Sequence, residues 1–203
     1  MLKVIEISEI ISKIDCLCSK YKNSYTQFEK EVFLNGTNVK YSSGGVVYPF
    51  GKYFFGRSKI YRKGVRQSSG HFCKTLEEAN FAYVFSQDGQ LLAINQMFDK
   101  TKNLDGYVYY TSFLKHETEE IHILRYRENT DVPFLCGIGI MYSKNNLEIM
   151  VLSDDAPCTA FTIVIIDNEN NNEYLYYIAR EFFFKDYDMM SNAIYPDYSK
   201  LFK

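Results

Sequence analysis

Residues 81–98 read FAYVFSQDGQLLAINQMF. Two apolar runs, Phe81 to Ser86 and Gln90 to Phe98, flank Gln87-Asp88-Gly89. An Asp-Gly pair tolerates the positive φ that a tight hairpin turn demands, and aromatic and β-branched neighbours suit a pleated surface. This segment is therefore the clearest hairpin in the chain, and the text downstream repeats its form.

From residue 105 onward, three more hairpins are predicted. Gly106 to Phe113 faces Ile121 to Arg127 across 115–120, and Phe134 to Tyr142 faces Leu147 to Leu152 across Lys144-Asn145-Asn146. Thr159 to Ile166 faces Glu173 to Arg180 across the polar run 167–172. Loops this short cannot make the crossovers that parallel strands require, so the sheet is mostly antiparallel. Upstream, Val39-Lys40-Tyr41, Val46-Val47-Tyr48 and Tyr53-Phe54-Phe55 read as short strands punctuated by glycine and proline. Thr75-Leu76-Glu77-Glu78 has capping-box form and predicts a short helix to about Asn80.

The N-terminus has a different period. Val4, Ile7, Ile11, Ile14, Cys18 and Tyr21 recur at three- and four-residue spacing, which predicts an amphipathic helix. A second helix follows from a capping box at Thr26-Gln27-Phe28-Glu29 to a stop at Asn35-Gly36. The fold expected is α+β: an N-terminal helix, or helix pair, packed on a mostly antiparallel twisted sheet built from successive hairpins. Residues 1–203 are read as one domain, with 1–35 helical and 36–203 sheet-rich. A core of this size needs no staple of disulfides or metal. The 18 Tyr and 16 Phe, with no Trp, make that core aromatic and leave the sheet tyrosine-rich.

Five cysteines are an odd count and too sparse for a disulfide framework, so buried, reduced thiols in the cytoplasm are expected. Glu6 and Glu9 interrupt the apolar start that a signal peptide would need, and no apolar run is long enough to span a bilayer. Neither cofactor nor membrane is implied. Cys16 and Cys18 on a helix diverge, and His71 with Cys73 is only one close pair, so no metal site is expected.

Catalytic motifs are missing. There is no Gly-x-Ser-x-Gly elbow, phosphate loop, His-Glu-x-x-His or dinucleotide fingerprint. Glu117-x-Glu119 is similar to the paired glutamates of ADP-ribosyltransferases, with Tyr41-Ser42-Ser43 in place of the serine strand. That family needs an arginine before the serines, whereas the first arginine here is Arg57. Glu117, Glu119 and Glu120 read instead as a solvated acidic turn. His71, His116 and His122 are the candidates for a general base, since an unperturbed imidazole titrates near pH 6.5.

Two features remain. Residues 52–66 carry Lys52, Arg57, Lys59, Arg62, Lys63 and Arg66 with no acid, interleaved with aromatics that include Tyr61. Such a stretch suits phosphates and stacked bases, and its bland counterpart is a charge-protected edge strand. Against a net charge of −2, the rest of the chain is then acidic. Its acids gather at Asp154, Asp155, Asp167, Glu169 and Glu173, beside the strand-borne Tyr174 and Tyr176. Tyrosine next to acid suits an interface with a basic protein. The leading expectation is therefore a non-catalytic protein-binding module, most concretely a bacterial immunity protein that occludes a basic toxin domain. A nucleic-acid-binding protein or small ribonuclease using 52–66 is the second.

Overall fold

The computed structural model describes residues 4–44, 47, 70–96, 110–128, 132–153, 160–170 and 172–179. The chain is α+β, with two N-terminal helices packed on an antiparallel sheet. Helix α1 runs Val4–Tyr21 and α2 runs Tyr25–Asn35. The strands are β1 Gly36–Ser43, β2 His71–Cys73, β3 Phe81–Ser86, β4 Leu91–Gln96 and β5 Tyr110–His116. They continue with β6 Glu120–Arg127, β7 Phe134–Lys144, β8 Leu147–Ser153, β9 Ala160–Asp167 and β10 Asn172–Ala179. Their hydrogen-bonded order is β10-β9-β8-β7-β6-β5-β4-β3-β1-β2. No described helix is long and apolar enough to cross a membrane.

The turns explain the registers. Gly89 takes φ +83°, and its amide closes the β3–β4 turn on the Ser86 carbonyl at 3.1 Å. Asn145 and Asn146 both adopt positive φ, 50° and 63°, the handedness that matches a two-residue connection to the twist of its strands. That turn sets β7 against β8 from Lys144↔Leu147 to Ile138↔Ser153.

The described chain divides into two compact units. The first holds the described parts of Met1–Lys20, His116–Ile123 and Cys136–Lys203. In it, Ile11 and Ile14 of α1 are buried, as are Ile138 and Ile140 of β7 and Phe161 to Ile165 of β9 apart from Thr162. Residues 149–153 of β8 are all buried, so both faces of this strand are covered. It therefore reads as a continuous apolar run instead of an alternation.

The second unit, Tyr21–Lys115 and Leu124–Leu135, is built around rings. The Phe113 ring lies 5.5 Å from Tyr25, 5.6 Å from Phe28 and 5.8 Å from Tyr126, with Tyr21 against Phe28 at 5.4 Å. The polar ends of these rings are all engaged. Tyr126 donates its hydroxyl to the Tyr21 carbonyl, Tyr25 donates to Glu128 at 2.9 Å, and Lys115 donates to the Tyr21 hydroxyl at 3.1 Å. Burial first, and then the carboxylates of Glu128 and Glu29, push the Tyr25 hydroxyl well above its ordinary titration range.

Three local expectations need correction. Residues 75–80 form bends and a turn and not a helix, because the Asn80 amide pairs with the Ser42 carbonyl at 2.8 Å. Helix α2 starts after Ser24 and not at the Thr26 box, and Ser24 makes no side-chain cap. Of the cysteines expected to be buried, Cys16 is exposed, and Cys18, Cys73 and Cys136 are half-buried; all four are free thiols. The strands expected at 46–48 and 53–55 fall outside the described residues, apart from Val47, which lies in no regular element.

Gly36 joins α2 to β1 and shows why the stop signal is a glycine. Its φ is an ordinary −75°, so conformation does not require it. Space does: a Cβ there would sit 2.6 Å from Val84 Cγ1 and 2.7 Å from the Val32 carbonyl oxygen. Because one of those atoms is backbone, Gly36→Ala is expected to lower stability by about 1–3 kcal/mol, measurable as a shift in urea midpoint.

Candidate functional site

Among the three histidines, the fold builds an environment around His122. Residues alternate sides along a strand, so Glu120 and His122 share a face of β6. The buried imidazole donates from Nε2 to Glu120 Oε1 at 2.5 Å. The other carboxylate oxygen, Oε2, accepts from Lys13 Nζ on α1 at 2.6 Å. The Glu120 side chain is 17% exposed, so it is not part of a solvated acidic turn, whereas Glu117 and Glu119 are exposed as expected. Burial pushes the Glu120 carboxyl up, but the hydrogen bonds and charges of Lys13 and His122 outweigh it and hold the group below the ordinary range.

Beside this triad lies a pocket of about 270 Å³ lined by Glu9, Ile10, Lys13, Glu120, Ile140, Tyr142 and Lys144. A general base must reach a substrate proton at about 3 Å. Here His122 is buried behind the lining with Nε2 committed to Glu120, and both Glu120 oxygens are taken. The arrangement ties α1 to β6. His116 ends β5, and His71 is exposed on β2 in the other unit. No group of three or more metal-ligating side chains occurs among the described residues.

The acidic residues named from sequence separate in use. Asp167 shapes the β9–β10 turn: Oδ1 accepts the amides of Glu169 at 3.1 Å and Asn170 at 3.0 Å, and Oδ2 accepts Asn170 Nδ2 at 2.8 Å. These bonds, Asn170 foremost, keep its carboxyl below the usual range. Asn168 then ties this turn to the β7–β8 turn through the Asn146 carbonyl at 3.2 Å, and to Glu148 Oε1 at 3.2 Å. Asp167, Glu148 and Glu169 thus meet at one end of the first unit. Glu173, Tyr174 and Tyr176 occupy β10 opposite Ile166, Ile165 and Ile163. Asp154, Asp155 and all of 52–66, with Lys52, Arg57, Lys59, Tyr61, Arg62, Lys63 and Arg66, lie outside the described residues.

Sequence reasoning missed the exposed apolar side chains. Helix α2 buries Phe28 but leaves Phe33 86% and Leu34 78% exposed. Val39, Phe72, Leu76, Val132 and Phe134 are also exposed, and all seven belong to the second unit. The only signal in the text was a pair of adjacent apolar residues, Phe33-Leu34, of which a single helix stripe can bury at most one. With this geometry in hand, comparison with known proteins adds no identity: no family model, curated protein or solved structure matches the chain.

The lowered Glu120 carboxyl sets a direction for acid stability. Its contribution is fully present above the unfolded glutamate value of about 4.3 and is lost as pH falls through the lower folded value. Glu120→Gln should cost about 1 kcal/mol at pH 7 and flatten the wild-type decline below about pH 4.3. Urea titrations from pH 7 to pH 3 read both effects; parallel curves would show that Glu120 is not the linked group.

Proposed function

We propose that this chain is a non-catalytic protein-binding module acting in the cytoplasm, in its most concrete form an immunity protein that neutralises a toxin by covering it. The observation that supports this reading is the exposure of the adjacent Phe33 and Leu34 at the end of α2, in the unit that also holds the other exposed large apolar side chains among the described residues. Isolated apolar residues on a surface are ordinary, but two neighbours left almost wholly in water at one helix end are suited to being covered by a partner. The acidic end at Glu148, Asp167 and Glu169 would steer a basic partner, adding to association rate more than to affinity.

A pull-down of the tagged chain from its own cells in moderate salt tests the reading, with the eluate assayed for protein and nucleic acid. One stoichiometric protein is expected. The double variant Phe33→Ser/Leu34→Ser should keep its circular dichroism and melting temperature while losing at least tenfold in partner affinity, the size expected for removing buried anchors. Retention of RNA that washes off with salt, and of no protein, would move the function to nucleic-acid binding.

A further inference from the structure

The second unit presents an incomplete strand pairing. Strand β3 pairs with β1 from Gly36 to Ser42, but β2 covers the other side of β1 only at Tyr41↔Cys73, Ser42↔Phe72 and Ser43↔His71. Thr37, Asn38, Val39 and Lys40 therefore have a strand on one side only among the described residues, and all four are exposed. In antiparallel pairing alternate residues turn both N–H and C=O to the same neighbour, so about half of these four aim their backbone groups outward. Natural sheets usually blunt such an edge with a bulge, proline, inward charge or lysine, and Lys40, whose ammonium lies 5.1 Å from the centre of the Phe85 ring, is the one such charge on this stretch. Here the one irregularity lies between Gly36 and Asn38 and leaves 38–40 in regular register with Phe85, Val84 and Tyr83.

The surroundings select the occupant. Residues 36–44 and 70–74 carry Lys40 and Lys74, both exposed, and no acid. Exposed Val39 stands within the open stretch, exposed Phe72 beside its paired end, and Phe33 and Leu34 on the helix turn that leads into it. We propose that Thr37–Lys40 is a strand-addition site that takes an extended, acid-bearing segment of a protein partner, antiparallel to β1 and in line with β2. Backbone hydrogen bonds supply the register, Lys40 and Lys74 attract glutamate or aspartate at alternate positions, and the apolar residues cover the segment's other side chains. This deepens the protein-binding reading and rests on it.

The test is backbone amide exchange on the whole chain, with and without a ten-residue probe peptide alternating glutamate with valine and threonine. Amides of 37–40 directed outward should exchange quickly in the free protein and slow by about tenfold or more with the probe. A peptide with lysine in place of glutamate should give little protection, and Lys40→Glu should reverse that preference. Lys40 is a surface residue, so this variant is expected to fold; Val39→Pro is a second block on the same edge. Two outcomes overturn the site: 37–40 already slow in the free chain, or probe protection confined to other strands. Capture of a cellular partner equally well by wild type and Lys40→Glu also overturns the edge while leaving the binding reading in place. Absence of any cellular partner, with probe protection at 37–40 retained, removes the binding reading and keeps the edge.

Discussion

Phe113 is in contact with both helix-borne and strand-borne rings, and the second unit depends on that arrangement. Tyr25 and Phe28 reach it from α2, and Tyr126 reaches it from β6. Aromatic pairs at these separations add about 0.5–1.5 kcal/mol each beyond the area they bury. The cluster also carries three hydroxyls, and a buried hydroxyl without a partner costs about 1–3 kcal/mol. Each is satisfied locally: Tyr126 by the last carbonyl of α1, Tyr25 by Glu128 and Tyr21 by Lys115. Two of these bonds hold Tyr21, the last residue of α1. A Phe-only cluster would bury comparable area without defining where α1 stops, which is a physical use for the chain's tyrosine surplus.

The first unit is held differently. Its strands β7, β8 and β9 are aliphatic, and β8 is covered on both faces, so register cannot be set by an inside–outside alternation. Turn geometry does that work instead. Asn145 and Asn146 in the left-handed region fix β7 against β8, and Asp167 fixes the turn that leads into β10. Asn168 then links the two turns. The polar triad of Lys13, Glu120 and His122 adds direction to an otherwise greasy contact, since only one rotation of α1 lets Lys13 reach the carboxylate.

Much of this was legible in sequence because its causes are local. Asp88-Gly89 and Asn145-Asn146 announce their hairpins through backbone preference alone, and α1 announces itself by period. The failures are long-range. Thr75-Leu76-Glu77-Glu78 has the form of a helix start, yet the Asn80 amide finds Ser42 and its side chain accepts from the Gly44 amide at 2.9 Å. Those bonds to a strand more than thirty residues away outweigh one turn of helix, whose nucleation is unfavourable by itself. Glu120 looked like one acid among three at a turn because its partner Lys13 lies 107 residues upstream. Asp167, named from sequence among the acids of an interface, has a local use as well: its oxygens accept from Glu169 and Asn170 within the turn.

The division of labour between the units bears on the functional reading. In the first unit, Lys13, Glu120, Glu148 and Asp167 are engaged with its own turns and with α1. The exposed large apolar side chains among the described residues, by contrast, all belong to the second, whose ring cluster holds α2 in place. Rigidity matters for recognition because a surface that is already ordered loses little entropy when a partner covers it. An apolar helix end on a mobile element would instead collapse onto the nearest groove. Here α2 is held by Phe28, Tyr25 and the close approach at Gly36, so Phe33 and Leu34 stay where the backbone puts them. A short helix pinned this firmly on one side, with Phe33 and Leu34 exposed at its end, suits the presentation proposed for it, and β1 follows directly from that end.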